Sequence, residues 1–115
     1  MAEKLSSLVD AYLQDLRHGR RLSEHTVTNY AVDLAQFVEF ALAQGLDDPG
    51  AVRPAHVRGF LREMLAYGYA KASAARKLAA GKSWMAYLQE EKVVPDDPAR
   101  GVQAPRLPVR RPRAL

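Results

Sequence analysis

Between Ser23 and Gly45 apolar residues return at every third or fourth position: Val27, Tyr30, Ala31, Leu34, Phe37, Val38, Ala41 and Leu42. That spacing follows 3.6 residues per turn and puts all of them on one side of an α-helix; a half-buried strand would need strict alternation instead. Ser23 is a good N-cap and Gly45 a good stop. The pattern predicts a helix from Glu24 to about Gln44, roughly 30 Å long at about 1.5 Å per residue. In a 115-residue chain a rod of that length is expected to be the longest core helix. Its polar side divides along its length. His25, Thr28, Asn29 and Val32 face outward early, and Asp33, Gln36 and Glu39 are expected to face outward later.

Three further helices follow from the same reading. Ser6 or Ser7 caps the first, with Ser7-Leu8-Val9-Asp10 approximating a capping box; Leu5, Leu8, Val9, Tyr12, Leu13 and Leu16 form its stripe, and Gly19 ends it. Arg17, His18, Arg20 and Arg21 crowd that end, where the helix dipole favours cations. Asp47-Asp48-Pro49-Gly50 is a turn. Pro54 opens a third helix, Ala55 to about Tyr67, burying Val57, Phe60, Leu61, Met64 and Leu65 and stopped by Gly68. A fourth starts near Ser73 as cap and runs to about Lys92. Gly81 falls on its apolar stripe, which predicts close approach of another helix backbone, and Trp84 and Tyr87 read as packing residues. Asp97 and Pro98 then cap one more turn through Gly101. No segment reads as a strand pair, so the fold class is all-α, a bundle of four or five helices over residues 1–102. Residues 103–115 contain Pro105, Pro108 and Pro112, which exclude a helix and leave an extended basic linker.

Charge is unevenly placed. Residues 1–65 carry seven Lys/Arg against nine Asp/Glu, whereas residues 66–115 carry ten against four. From Ala66 to Gln89 there is no acid at all, yet Lys71, Arg76, Lys77 and Lys82 are present. An ordinary solvated helix mixes both signs, so the fourth helix is expected to turn a positive face outward. The natural partner of such a face is nucleic acid, with a membrane surface less suited because no basic face opposes bulky apolar residues. No stretch approaches the run of about 18 apolar residues that a membrane span needs. The absence of cysteine and of a secretory leader fits a cytoplasmic protein.

Catalytic chemistry finds little support. Three histidines and scattered carboxylates give no metal-ligand spacing; there is no glycine-rich phosphate loop and no nucleophile elbow. No cofactor, metal or small-molecule ligand is expected. Two surfaces do offer groups that bond phosphates and base edges: Ser73, Arg76, Lys77 and Lys82 on the fourth helix, and His25, Thr26, Thr28 and Asn29 at the head of the second.

Strung together, the motifs resemble a known family. Ser23-x-x-Thr26-x-x-x-Tyr30-x-x-Asp33-Leu34-x-x-Phe37-x-x-Phe40 is similar to the second helix of the amino-terminal domain of Xer-type tyrosine recombinases. Ala75-Arg76-Lys77-Leu78-Ala79-Ala80-x-Lys82-Ser83-Trp84 is similar to that domain's fourth helix. Asp97-Pro98-Ala99 and Pro105-Arg106-Leu107-Pro108 look like its exit toward a catalytic domain. The resemblance implies a SAM-like orthogonal bundle that grips one face of duplex DNA and assembles with other recombinase subunits. It implies that Thr26 and Asn29 on the second helix, and Ser73, Arg76, Lys77 and Lys82 on the fourth, lie near DNA, with Arg106 in the linker. It places the nucleophilic tyrosine and its arginines, lysine and histidines in the second domain, so this chain is not expected to be an enzyme alone. His18-Gly19-Arg20-Arg21 spells H-x-x-R, but it sits at a helix stop and is rejected as an active-site motif. Where the family usually has a bulky apolar residue, this chain has Gly81. A helical protein-interaction module and a stand-alone DNA-binding regulator are the alternatives.

Overall fold

Four α-helices carry the chain in the computed structural model, which describes residues 2–104: α1, Ala2–Gln14; α2, Glu24–Ala43; α3, Pro54–Tyr67; and α4, Lys71–Glu90. A π-helical turn, Asp15–Gly19, extends α1, and a 3₁₀ turn, Pro49–Ala51, precedes α3. No strand occurs among the described residues, in accord with the all-α expectation. The linker expected over residues 103–115 lies outside the described residues from Pro105 onward.

Helix ends follow local chemistry in most places. Ser23 caps α2, its Oγ accepting from the Thr26 amide at 3.2 Å and donating to the Thr26 hydroxyl at 2.9 Å. Pro54 occupies the first turn of α3, and Gly68 closes it at φ +112°, a conformation that a side chain would strain. Two expected caps are corrected. Ser6 and Ser7 lie inside α1, which begins at Ala2, because the apolar stripe already includes buried Leu5. Ser73 also lies within its helix: α4 begins at Lys71 behind Ala70, which makes no side-chain cap.

The π-helical turn gives α1 a wide exit. The Arg20 amide bonds the Asp15 carbonyl at 2.9 Å and the Leu22 amide bonds the Leu16 carbonyl at 2.9 Å. Longer-than-helical spacing lets buried Leu16 and half-buried Leu22 both reach the core.

Aromatic rings make the centre. Phe37 of α2 meets Phe60 of α3 edge-on at 4.9 Å and Trp84 of α4 at 6.1 Å. Trp84 is wholly buried and donates its indole N–H to the Leu8 carbonyl of α1 at 3.4 Å, so this ring cluster ties all four helices together. Each such ring pair adds about 0.5–1.5 kcal/mol beyond its buried area. Trp84 is thus a packing residue, as expected. Gly81 is buried, but what lies against it is the Phe37 ring, 3.3 Å from where a Cβ would stand, and not a helix backbone. After α4 the chain folds back: Asp97 Oδ1 accepts from the Ala99 amide at 2.9 Å, and Ala99 and Val102 are buried against the bundle.

Candidate nucleic-acid interface

The first half of α2 and the first half of α4 lie side by side, and one buried carboxylate fixes their relation. Asp33 is 2% exposed. Its Oδ1 receives Lys77 Nζ at 3.0 Å and Arg76 Nη2 at 3.2 Å, and its Oδ2 receives Arg76 Nε at 3.2 Å. A lone carboxylate at that depth would cost several kcal/mol, so the two cations are what make its burial tolerable.

The two cations end differently. Lys77 is 3% exposed; besides Asp33 it donates to Gln36 Oε1, and its ammonium stands 4.7 Å from the centre of the Tyr69 ring. The Gln36 amide in turn donates to the Tyr69 hydroxyl at 2.9 Å. Arg76 spans the surface, its side chain 56% exposed. Asp33 neutralises one of the two positive charges, and the remaining one is presented to solvent as the Arg76 guanidinium.

Arg76 forms one wall of a shallow cleft of about 210 Å³ between α2 and α4, shared with Thr26, Asn29, Tyr30, Ala79 and Ala80. Asn29 is exposed, and its amide nitrogen lies 3.3 Å from His25 Nε2 one turn earlier. Glu24, the one acid in the first turn of α2, is paired with Arg17 at 2.8 Å. That pairing leaves the positive end of the helix dipole less opposed. An amide, a hydroxyl and a guanidinium thus converge beside a helix N-terminus, a set able to bond phosphate oxygens and base edges.

Of the expected site residues, the cleft brings together Thr26, Asn29 and Arg76. Ser73 is half-buried one turn before Arg76 and does not line it. Lys77 is not on the outward face at all: its ammonium is consumed beneath that face by Asp33 and Gln36. Lys82 lies six residues past Arg76, on another side of the helix at about 100° per residue. There it donates to the Val102 carbonyl and holds the returning chain. Arg106 lies outside the described residues. The positive field expected along all of α4 is therefore concentrated at Arg76, with exposed Lys71 at the helix start.

Asp33 corrects the expectation from periodicity. The i, i+3, i+4 stripe alone sets it on the solvent side of α2, yet the helical wheel puts it between Phe37 and Phe40, both buried. The apolar arc is wider than the stripe, and an acid inside it needs a cation from a neighbouring helix. Among the described residues no group of His, Cys, Asp or Glu is arranged to hold a metal ion, and no helix is long and apolar enough to cross a membrane.

Comparison with known proteins agrees with this architecture. Residues 9–92 match the family described as phage integrase, N-terminal SAM-like domain. A protein named tyrosine recombinase XerC from Pseudomonas aeruginosa (strain LESB58) is 36% identical over 107 residues, 93% of this chain and 35% of that protein. One of the same name from Myxococcus xanthus is 35% identical over 111 residues, covering 96% and 37%. A third, from Roseiflexus sp. (strain RS-1), is 32% identical over 111 residues, covering 96% and 36%. The chain thus spans about a third of the length of these relatives. No solved structure matches.

Proposed function

The chain belongs to the phage integrase N-terminal SAM-like family, and from that premise we propose that it seats against duplex DNA through the α2/α4 cleft. The observation that carries the reading is the convergence of Thr26, Asn29 and Arg76 on one opening, with the Arg76 guanidinium aimed by buried Asp33. Arg76 supplies the phosphate attraction; Asn29 and Thr26 supply hydrogen bonds that tell base edges apart. Lys77 serves the interface from below by holding Asp33 in place through its 3.0 Å ion pair. Lys71, at the exposed start of α4, adds a further positive charge.

In this reading the domain contributes grip and orientation to a site-specific tyrosine recombinase, and strand cutting belongs to other parts of such a protein. Other recombinase subunits are its partners on the same DNA. Binding by the domain alone is weak and steeply dependent on salt. The test is a titration of fluorescent duplex DNA with the 115-residue chain at two salt concentrations. Arg76→Ala lowers the affinity and reduces the slope of log K against log salt by about 0.9, the value for one phosphate left unneutralised. Equal affinity and equal slope for the variant overturn the proposal.

A further inference from the structure

Val32 is an apolar side chain on the polar head of α2. It is 51% exposed and belongs to no part of the hydrophobic core. Among the described residues it is the one large apolar side chain of α2 left open to water; Tyr67 and Val93, the others of that kind, lie at the end of α3 and beyond α4. A lone exposed valine is ordinary on a protein surface. This one is set apart by where it stands.

At about 100° per residue, Val32 falls between His25 and Thr28 on the helical wheel and about 60° from Asn29. His25, Thr28 and Asn29 are all exposed. Side chains of a helix lean toward its N-terminus, so Val32 covers the turn that carries Thr28 and Asn29 rather than the turn after it. Along the axis it stands about 4.5 Å past Asn29 at about 1.5 Å per residue, little more than one base-pair step of about 3.4 Å. Folding gives no reason for a valine here. A β-branched residue is a poorer helix former than alanine, and a side chain half in water gains little burial to offset that.

We propose that Val32 reads a thymine, packing its methyls on the C5-methyl group of one thymine in the major groove. That methyl is the apolar feature among the edges that base pairs present there; the rest are hydrogen-bond donors and acceptors. Thr26, Asn29 and Arg76 suit the donors and acceptors, and a neighbouring side chain with no polar atom suits the methyl. Valine keeps one strongly preferred rotamer in a helix, so its two methyls form a fixed surface and lose little freedom on contact. Cytosine in the same place would press an amino group against that surface and leave it unbonded, so Val32 favours thymine over cytosine. An apolar patch on a protein partner would need more than one open apolar side chain, whereas the exposed neighbours on this face are His25, Thr28, Asn29 and small Ala35. The role rests on the DNA reading of the α2/α4 cleft and adds to it one chosen base.

The test starts from duplexes that the full 115-residue chain selects out of a random-sequence pool. Each thymine of the selected site is replaced in turn by deoxyuridine, which pairs alike and lacks only the methyl. At one position the replacement weakens binding about fourfold, the value for one methyl-sized group withdrawn from apolar contact. In Val32→Ala, where alanine favours the helix, that position no longer distinguishes the two bases, while the slope of log K against log salt stays as it was. A site with no such thymine overturns the proposal, and so does a methyl that matters equally to Val32→Ala. Either result leaves the DNA reading in place, since that reading stands or falls with the salt slope of Arg76→Ala. Failure to select any duplex overturns both. A change in the sedimentation of the DNA-free chain on Val32→Ala assigns the valine to a contact between copies of the protein, and also overturns the proposal.

Discussion

Asp33 and Arg76 meet across 43 positions of sequence in a two-pronged pair, both bonds 3.2 Å long, with the carboxylate buried and the guanidinium largely in water. The pair sits where the core of the bundle gives way to the proposed DNA face. Its inner end is a matter of stability and its outer end a matter of binding, and the two can be separated by substitution.

The inner end predicts a double-mutant result. Asp33→Ala strands Lys77 in the interior without a counter-charge and costs about 3–5 kcal/mol. Adding Lys77→Met removes the stranded ammonium and restores a large part of that loss. Urea denaturation of the two variants measures this, and a double variant no more stable than Asp33→Ala would show that the burial of Lys77 is not what makes Asp33 necessary.

The outer end predicts a contrast between two cations of one helix. Arg76→Ala weakens DNA binding and flattens its salt dependence, whereas Lys82→Ala leaves the salt slope nearly unchanged because that ammonium is already bonded to the Val102 carbonyl. Lys82→Ala instead loosens the returning chain, seen as faster hydrogen exchange at the Val102 amide, which bonds the Ala99 carbonyl at 3.1 Å.

At Gly81 the prediction concerns shape. Gly81→Leu, which inserts the bulky apolar side chain usual in the resembling family, collides with the Phe37 ring and costs about 1–3 kcal/mol. Phe37→Leu in the same chain makes room and recovers part of the cost. Thermal melts of the single and paired variants check it, with additive losses as the contrary result.

Tyr12 predicts the alkaline limit. Burial, first, and the neighbouring Tyr30, second, push its phenol above the ordinary tyrosine value of 10.0. The folded chain thus favours the neutral ring more than the unfolded chain does. Its contribution is complete below pH of about 10 and is lost as pH rises from there through the folded value. Tyr12→Phe reduces the fall of the melting temperature across that window, while Tyr87, raised in the same direction by burial, retains part of it. An unchanged fall in Tyr12→Phe would remove Tyr12 from the cause.

Periodicity and punctuation explain why so much of the fold is readable from the chain alone. Gly45, Pro54 and Gly68 act through their own backbones and Ser23 through a hydroxyl that reaches only three residues on, so their effect needs no knowledge of distant neighbours. The two missed helix starts lie upstream of the nearest serine, and at the first of them buried Leu5 already belongs to the helix. The site is less legible. Thr26, Asn29 and Arg76 come together as expected of neighbouring helices, but whether a lysine faces water depends on a partner far away in sequence. Lys77 is claimed by Asp33 and Lys82 by Val102. Neither pairing leaves a mark on a single helix considered alone, except that Asp33 falls inside the arc bounded by Phe37 and Phe40.

The wide turn between Asp15 and Gly19 acts as a phase setter for everything downstream. Deleting a single residue there would convert it toward an ordinary helical turn and rotate the outgoing chain by about 100°. Leu22 would swing away from its seat, and the head of α2 would point its asparagine and threonine elsewhere. The bearing of the proposed DNA-reading edge is thus written as a residue tally between two helices, so a length change in this turn is a more drastic edit than most substitutions on the edge itself.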